Sequence, residues 1–328
     1  MAERGAPPPE RGLTYILALP YSGSSLFALA LGNADGFVNL GEMNYLENDL
    51  NERRTCSCGA LVTECAFWGP LIARAKAERA AGRPMLSFDT STRLRAVDRR
   101  NPSLATRLSL IFGRSLQGIY GTEDLRAYRQ DHLGFMKLAL EETGSHEVID
   151  AAKNSRRLQV FAEASDLPLR VIAMSRRPVD AFAARIKRAR RRNRFYRQAL
   201  APAYVFWLLH HYRQMRSALR GIPPRSVYYL NYEDFVSDPK GTEKALSRWY
   251  GRSVSFGRTG PADIRLDQTH VYTGNIWITR GTKGAETVTL RPPPKAPDLT
   301  RFELAQFRFF ALLFPVLRHG LTPRRVRS

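Results

Sequence analysis

The sequence is short of acid: 30 aspartates and glutamates stand against 51 lysines and arginines, for a formal charge of +21 at pH 7. An excess of that sign concentrates anions near the surface, so the partner, substrate or cofactor is expected to be anionic. Charge alone does not choose between nucleic acid, membrane and nucleotide. Cysteine is scarce as well. The three present, Cys56, Cys58 and Cys65, fall in TCSCGALVTEC, and an odd number without an export signal argues against a disulfide framework. Three thiolates hold zinc only with a fourth ligand from elsewhere. No histidine lies near them in sequence, so a packed loop with free thiols is the expectation, and no metal is expected. Long apolar runs are missing too: none reaches about 18 residues, and MAERGAPPPERG lacks the apolar segment of a signal peptide. A cytoplasmic, non-spanning protein is expected. No internal repeat is found. With 44% hydrophobic and 25% charged residues, the chain has enough apolar material for a sizeable core.

The 328 residues suit one large α/β domain or two small ones. One is expected, spanning 13–328 after a flexible tail at 1–12, with a helical insertion at about 66–145 and a C-terminal helix at about 301–318. Strand-like runs occur at 14–19, at HEVID ending on Asp150, at LPLRVIAMS ending on Ser175 and at SVYYLNYEDF. Helix-like segments follow them, including one from about Ser25 to Gly32 with a serine cap. Strands alternating with helices predict a parallel sheet with right-handed crossovers. Ligands of such sheets bind outside the carboxyl ends of the strands. LPYSGSSL, AAKNSRR and SRRPVDAF all follow strand candidates, so three unusual loops converge on one edge.

LPYSGSSL is a small-residue turn between a strand and a helix. Such a turn aims backbone N–H groups and the positive helix end at one point, which suits a phosphate or sulfate. Ser22, Ser24 and Ser25 add hydroxyls, and these small residues with Gly23 allow close approach. The Walker pattern GxxxxGK[ST] is absent because no lysine precedes the serines. An ordinary strand-to-helix turn reads the same way.

LPYSGSSLFALALG, VNLGE, VIDAAKNSRRLQVF, VIAMSRRPVDAFAARIKR, YYLNYEDFVSDP and HVYTGNIWITRG together resemble the ordered motifs of sulfotransferases that use 3′-phosphoadenosine-5′-phosphosulfate (PAPS). CSCG followed by ECAFW is similar to a segment of bacterial members. The resemblance covers about Tyr15 to Arg280. It implies a P-loop-like three-layer fold, a central parallel sheet flanked by helices. The first loop then cradles the 5′-phosphosulfate, PAPS is the co-substrate and 3′-phosphoadenosine-5′-phosphate (PAP) the product. Family loops usually read PRSGST or PKSGTT, so Tyr21 stands where a cation is usual. Arg176 resembles the arginine that holds the 3′-phosphate, and a guanidinium fork suits phosphate in any case. Ala184 stands where the family has a serine, and Arg185 and Lys187 are near enough in sequence to substitute.

Glu42 of LGEM resembles the general base of tyrosylprotein and some bacterial sulfotransferases, since an attacking hydroxyl or amine must lose a proton. A solvated surface glutamate reads the same way. Lys153 of DAAKN resembles the lysine of an NKDP segment and is expected to offset charge on the sulfonate and leaving oxygen. A salt bridge to Asp150, or plain exposure, is the alternative. Tyr232, Glu233 and Asp234 read as structural, and His270, Gly274, Asn275 and Arg280 resemble an HxxxGNxxR of bacterial members, with Arg280 a nucleotide contact.

ARIKRARRRNRFYRQ is too dense in arginine to turn one face inward, and it interleaves only Phe195 and Tyr196, so nucleic acid is disfavoured. An anionic membrane surface or an acidic acceptor fits it as well. RFELAQFRFFALLFPVLRHG is interrupted by Pro315 and is expected to dock on the core, with interfacial membrane binding as the alternative. The reading is a PAPS-dependent sulfotransferase acting on a hydroxyl or amine of a small-molecule, glycan or lipid acceptor. Its rivals are a P-loop ATP-dependent kinase and a catalytically impaired sulfotransferase-like basic binding protein. Acceptor identity and oligomeric state are not legible in the sequence.

Overall fold

In a computed structural model the described residues are 10–46, 50, 54–86, 88, 116–192, 201–266, 270–272, 286–292 and 296–321. β1 (Gly12–Ala18) is buried along its whole length and forms the middle of a five-stranded sheet. It pairs in parallel with β3 (Glu147–Asp150) on one side and β4 (Leu169–Ser175) on the other. β2 (Phe37–Asn39) and β5 (Val227–Asn231) complete the order β2-β3-β1-β4-β5, every pairing parallel. The central strands are near-continuous apolar runs because both faces of such a sheet are covered.

Side-chain alternation along β1 divides the core. Leu13, Tyr15 and Leu17 face one cluster, while Ile16 and Ala18 face the other. The first cluster takes in Trp68 and Leu71 of α2 (Trp68–Ala80), Met136 of α4 (Thr122–Thr143), Phe161 of α5 (Ser155–Glu163), Phe182 of α6 (Pro178–Arg192) and Leu208 of α7 (Ala201–Leu219). A short helix, α3 (Leu116–Tyr120), precedes α4. The second cluster takes in Phe27 of α1 (Ser24–Gly32), Phe235 of α8 (Tyr232–Ser237) and Leu246 of α9 (Pro239–Tyr250). The result is the expected P-loop-like three-layer fold. β6 (Asp263–Arg265) and β7 (Thr287–Thr289) form a separate antiparallel pair.

The predicted serine cap on the first helix is not observed. Gly23 is the N-cap residue, at φ 79°, and no side chain caps α1. Near the C-terminus, α10 (Arg301–Leu313) begins with a capping box of Thr300 and Glu303, and α11 (Val316–His319) follows Pro315. Buried Glu303 also pairs with Arg190, tying α6 to α10. The guanidinium of Arg185 lies over the rings of Tyr204 and Trp207, and Lys187 approaches Asp298 at 3.5 Å. The described part of the basic helix is therefore engaged largely within the molecule. Phe195 and Tyr196 lie outside the described residues. Phe302, Phe309, Leu312 and Leu313 of α10 are exposed. No described helix is long and apolar enough to cross a membrane.

Candidate active site

The loop after β1 turns tightly before α1. The Ser22 hydroxyl donates to the Leu19 carbonyl at 2.7 Å and is fully buried, so it braces the turn instead of facing a ligand. The first intrahelical bond runs from the Phe27 N–H to the Gly23 carbonyl. The amides of Ser24, Ser25 and Leu26 thus open α1 without helical partners, a ready anion cradle. Gly23 is required twice over: its φ is positive, and a Cβ there would lie 2.2 Å from the ring of Tyr232.

Lys153 closes the cradle from the end of β3. Its Nζ donates to Ser25 Oγ at 2.8 Å and to Glu42 Oε1 at 2.7 Å. Glu42 is only 3% exposed and Lys153 14%. The reading of Glu42 as a solvated surface charge is therefore overturned, and so is a Lys153 bridge to Asp150. Tyr21 and Lys153 are two of the three non-glycine residues with positive φ among those described, at 69° and 60°. Such strain persists where the surroundings over-determine it, often at functional sites.

Asp150 is occupied elsewhere. It accepts from Arg157 Nε at 2.8 Å, and Arg157, fully buried, also donates to Tyr128 and, at 3.2 Å, to His132 Nδ1. Since a guanidinium only donates, Nδ1 is the acceptor and the His132 proton sits on Nε2. Burial, with Arg157 beside it, holds the His132 pKa well below its ordinary value. Burial raises the Asp150 carboxyl, against the pull of Arg157. Asn154 caps α5 by accepting from the amides of Arg156 and Arg157, and its own backbone N–H donates to Tyr15 Oη at 3.0 Å. This braced segment fixes the backbone that carries Lys153.

A buried Glu–Lys pair on a strand-loop-helix anion cradle fits group transfer from an anionic donor, and sequence comparison names the kind. A family model described as the Sulfotransferase family matches residues 14–255. The chain belongs to the sulfotransferase family. Among solved structures it is similar to the sulfotransferase domain from the curacin biosynthetic pathway, at 13% identity and a TM-score of 0.46 over 92% of this chain and 98% of that one. Sulfotransferase STF9 from Mycobacterium avium is 14% identical with a TM-score of 0.43, over 75% of this chain and 65% of that one. Retinol dehydratase in complex with androsterone and inactive cofactor PAP is 13% identical with a TM-score of 0.31, over 74% of this chain and 61% of that one. No curated protein matches the chain by sequence.

In this sulfotransferase family member Arg176 sits at the carboxyl end of β4, between the first loop and α8. Its Nη1 donates to the Tyr21 carbonyl at 3.1 Å, its guanidinium lies over the Tyr232 ring at 5.0 Å, and its buried Nε has no partner among the described residues. Glu233 accepts from the Arg177 amide at 3.0 Å, and buried Asp180 accepts from Arg177 Nε at 2.6 Å. Asp180 therefore secures its own loop. The sequence did not single out Arg188, whose guanidinium lies 5.9 Å from the centre of the Tyr21 ring. It lies four residues beyond Ala184, one helical turn on, but that signal was lost among neighbouring arginines. Arg280, Gly274 and Asn275 lie outside the described residues. A groove of about 920 Å³ lined by Arg74, Glu78, Met85, Lys137 and Asp166 opens near the amino ends of the strands, away from these loops.

Proposed function

We propose that the protein transfers the sulfuryl group of PAPS to a hydroxyl or amine of an acceptor and releases PAP. The observation that carries this reading is the single ammonium of Lys153 joining Ser25 of the anion cradle to buried Glu42. A base and a cation joined beside open helix amides support transfer from an anionic donor. The open amides of α1 suit the 5′-phosphosulfate, and the unpartnered Nε of Arg176 suits the 3′-phosphate.

Glu42 takes the acceptor proton as the new bond to sulfur forms. Lys153 carries three donors, and two are used here, so the third remains for an oxygen of the transferring group or the leaving phosphate. The bond from sulfur to the bridging oxygen breaks, and its electron pair stays on the 5′-phosphate of PAP. Arg188, over the Tyr21 ring, supplies positive charge beside a loop whose own cation is missing. That proximity favours an active enzyme over the impaired binding protein. The acceptor is a small molecule, glycan or lipid.

Calorimetry with PAP, ATP with magnesium, and short oligonucleotides tests the proposal. PAP is expected to bind and the others not. Binding of magnesium-ATP in preference to PAP points to the kinase, and salt-steep oligonucleotide binding without PAP points to the basic binding protein. Once an acceptor is found by screening PAPS consumption, unchanged turnover in Glu42→Gln removes Glu42 as the base.

A further inference from the structure

The three cysteines have a fourth companion. His270, 205 residues beyond Cys65, places its Nδ1 3.1 Å from Cys65 Sγ and 3.7 Å from Cys56 Sγ. Cys58 Sγ lies 3.7 Å from Cys65 Sγ. One ligand atom from each of the four residues lies within 4.8 Å of the others. Zinc bound at about 2.3 Å from sulfur and about 2.1 Å from nitrogen puts neighbouring donors about 3.5–3.8 Å apart in a tetrahedron, so no pair of these atoms need close by more than about 1 Å.

The surroundings hold the donors in place. Cys56 and Cys58 share a tight turn in which the Cys56 amide donates to the Ala60 carbonyl at 2.8 Å and the Gly59 amide to the Cys56 carbonyl at 2.9 Å. The His270 ring stacks on Phe67 at 5.3 Å and 10°, and the His270 carbonyl accepts from Trp68 Nε1 at 2.8 Å. Ser57 and Val271 exchange two bonds, amide to carbonyl at 2.7 Å and amide to hydroxyl at 3.0 Å. Phe67 and Trp68 are the aromatic pair right after Cys65, so the motif CSCG with ECAFW supplies three sulfurs and the two side chains that seat the histidine.

We propose that Cys56, Cys58, Cys65 and His270 bind one structural zinc ion through three thiolates and the His270 Nδ1. Four protein donors complete the tetrahedron and leave no open position for water, which is the mark of a structural site. Binding is not a redox step: the ion displaces the thiol protons, which leave to solvent. The clamp has a consequence for the neighbouring site. Val271 packs beside Gly41, where a Cβ would lie 4.0 Å from its Cγ1, and Gly41 immediately precedes Glu42. Zinc would thus pin the 270–272 segment against the loop that carries Glu42.

The full chain, purified under reducing conditions without chelator, is analysed for metal by mass spectrometry. About one zinc per chain is expected, falling below about a tenth in Cys58→Ser and in His270→Ala after dialysis. Stripping zinc from the wild type with a strong chelator should lower its melting temperature, and adding zinc back should restore it. Cobalt in its place should give a thiolate charge-transfer band and the intense visible bands of a tetrahedral site. The proposal is overturned if reduced wild-type protein carries no stoichiometric metal and takes up neither zinc nor cobalt. It is equally overturned if Cys58→Ser keeps the wild-type zinc content. Because wild-type stoichiometry and cobalt spectra need no variant, a variant that fails to fold leaves the test intact.

Discussion

Removing Lys153 tests whether the ammonium between Glu42 and Ser25 is central to the site. At 2.7 Å and an effective dielectric of about 20 the attraction is on the order of 6 kcal/mol, most of it offset by desolvation of the two charges. What survives is the asymmetry of breaking the pair. Lys153→Met leaves a carboxylate that is 3% exposed without its cation, a loss of about 3 kcal/mol in urea unfolding. Glu42→Gln should cost less, because Lys153 is 14% exposed and keeps its bond to Ser25. In the double variant neither charge remains, so the two losses should fail to add, by about 1–3 kcal/mol. Turnover should behave differently from stability. Each single change is expected to reduce kcat by about 100- to 1000-fold, and the double variant should be no worse than the poorer single one, since the two groups act together. Urea unfolding and initial rates of PAPS consumption on the same four proteins read both quantities. Additive stability losses, or a Lys153→Met protein as stable as the wild type, would refute the pairing as argued.

Gly23→Ala places a methyl group against the Tyr232 ring at a backbone of φ 79°, so a loss of about 2 kcal/mol in stability and weaker PAP binding by calorimetry are expected. If Arg188 compensates for Tyr21, then Arg188→Ala lowers turnover about tenfold and Tyr21→Arg in that background restores it; rates unaffected by Arg188→Ala would dismiss the idea. His132 titrates below its ordinary 6.5 in the folded protein because of burial and Arg157, so an unfolded chain takes up the proton first as pH falls. Stability is then fully present above about pH 6.5 and is lost below it, by up to about 1.4 kcal/mol per pH unit. His132→Asn keeps an acceptor for Arg157 without titrating there, and Asp150 and Tyr128 face both proteins alike. The difference in unfolding free energy between the two should therefore vary with pH below 6.5, and parallel curves would contradict the assignment.

Residues with a local signal were read well. Near-continuous apolar runs marked β1 and β4, and the small residues of SGSS marked the turn at the carboxyl edge. Side-chain direction was less legible. Ser22 carries a hydroxyl like its neighbours, yet it bonds back to Leu19 and is buried, because the turn closes on itself. Asp150 and Lys153 are three residues apart and looked like partners, but Asp150 lies in β3 and points into the layer of Arg157, while Lys153 has left the strand at φ 60°. Arg188 was hidden because a run of arginines gives every member the same signal.

The sequence by itself determined the run of strands and helices and the small-residue turn after β1, because propensity and turn chemistry are properties of short segments; Glu42, Lys153 and Arg176 were nominated through the resemblance to the family's ordered motifs. Tertiary structure decided which of these meet. Lys153 reaches Glu42 across 111 residues and Ser25 across 128, and Cys65 reaches His270 across 205. Those encounters depend on β3 lying between β1 and β2 in the sheet and on a C-terminal segment returning to the cysteine turn. Spacing along the chain carries no record of either, since strand order is set by how the two faces of the sheet are covered.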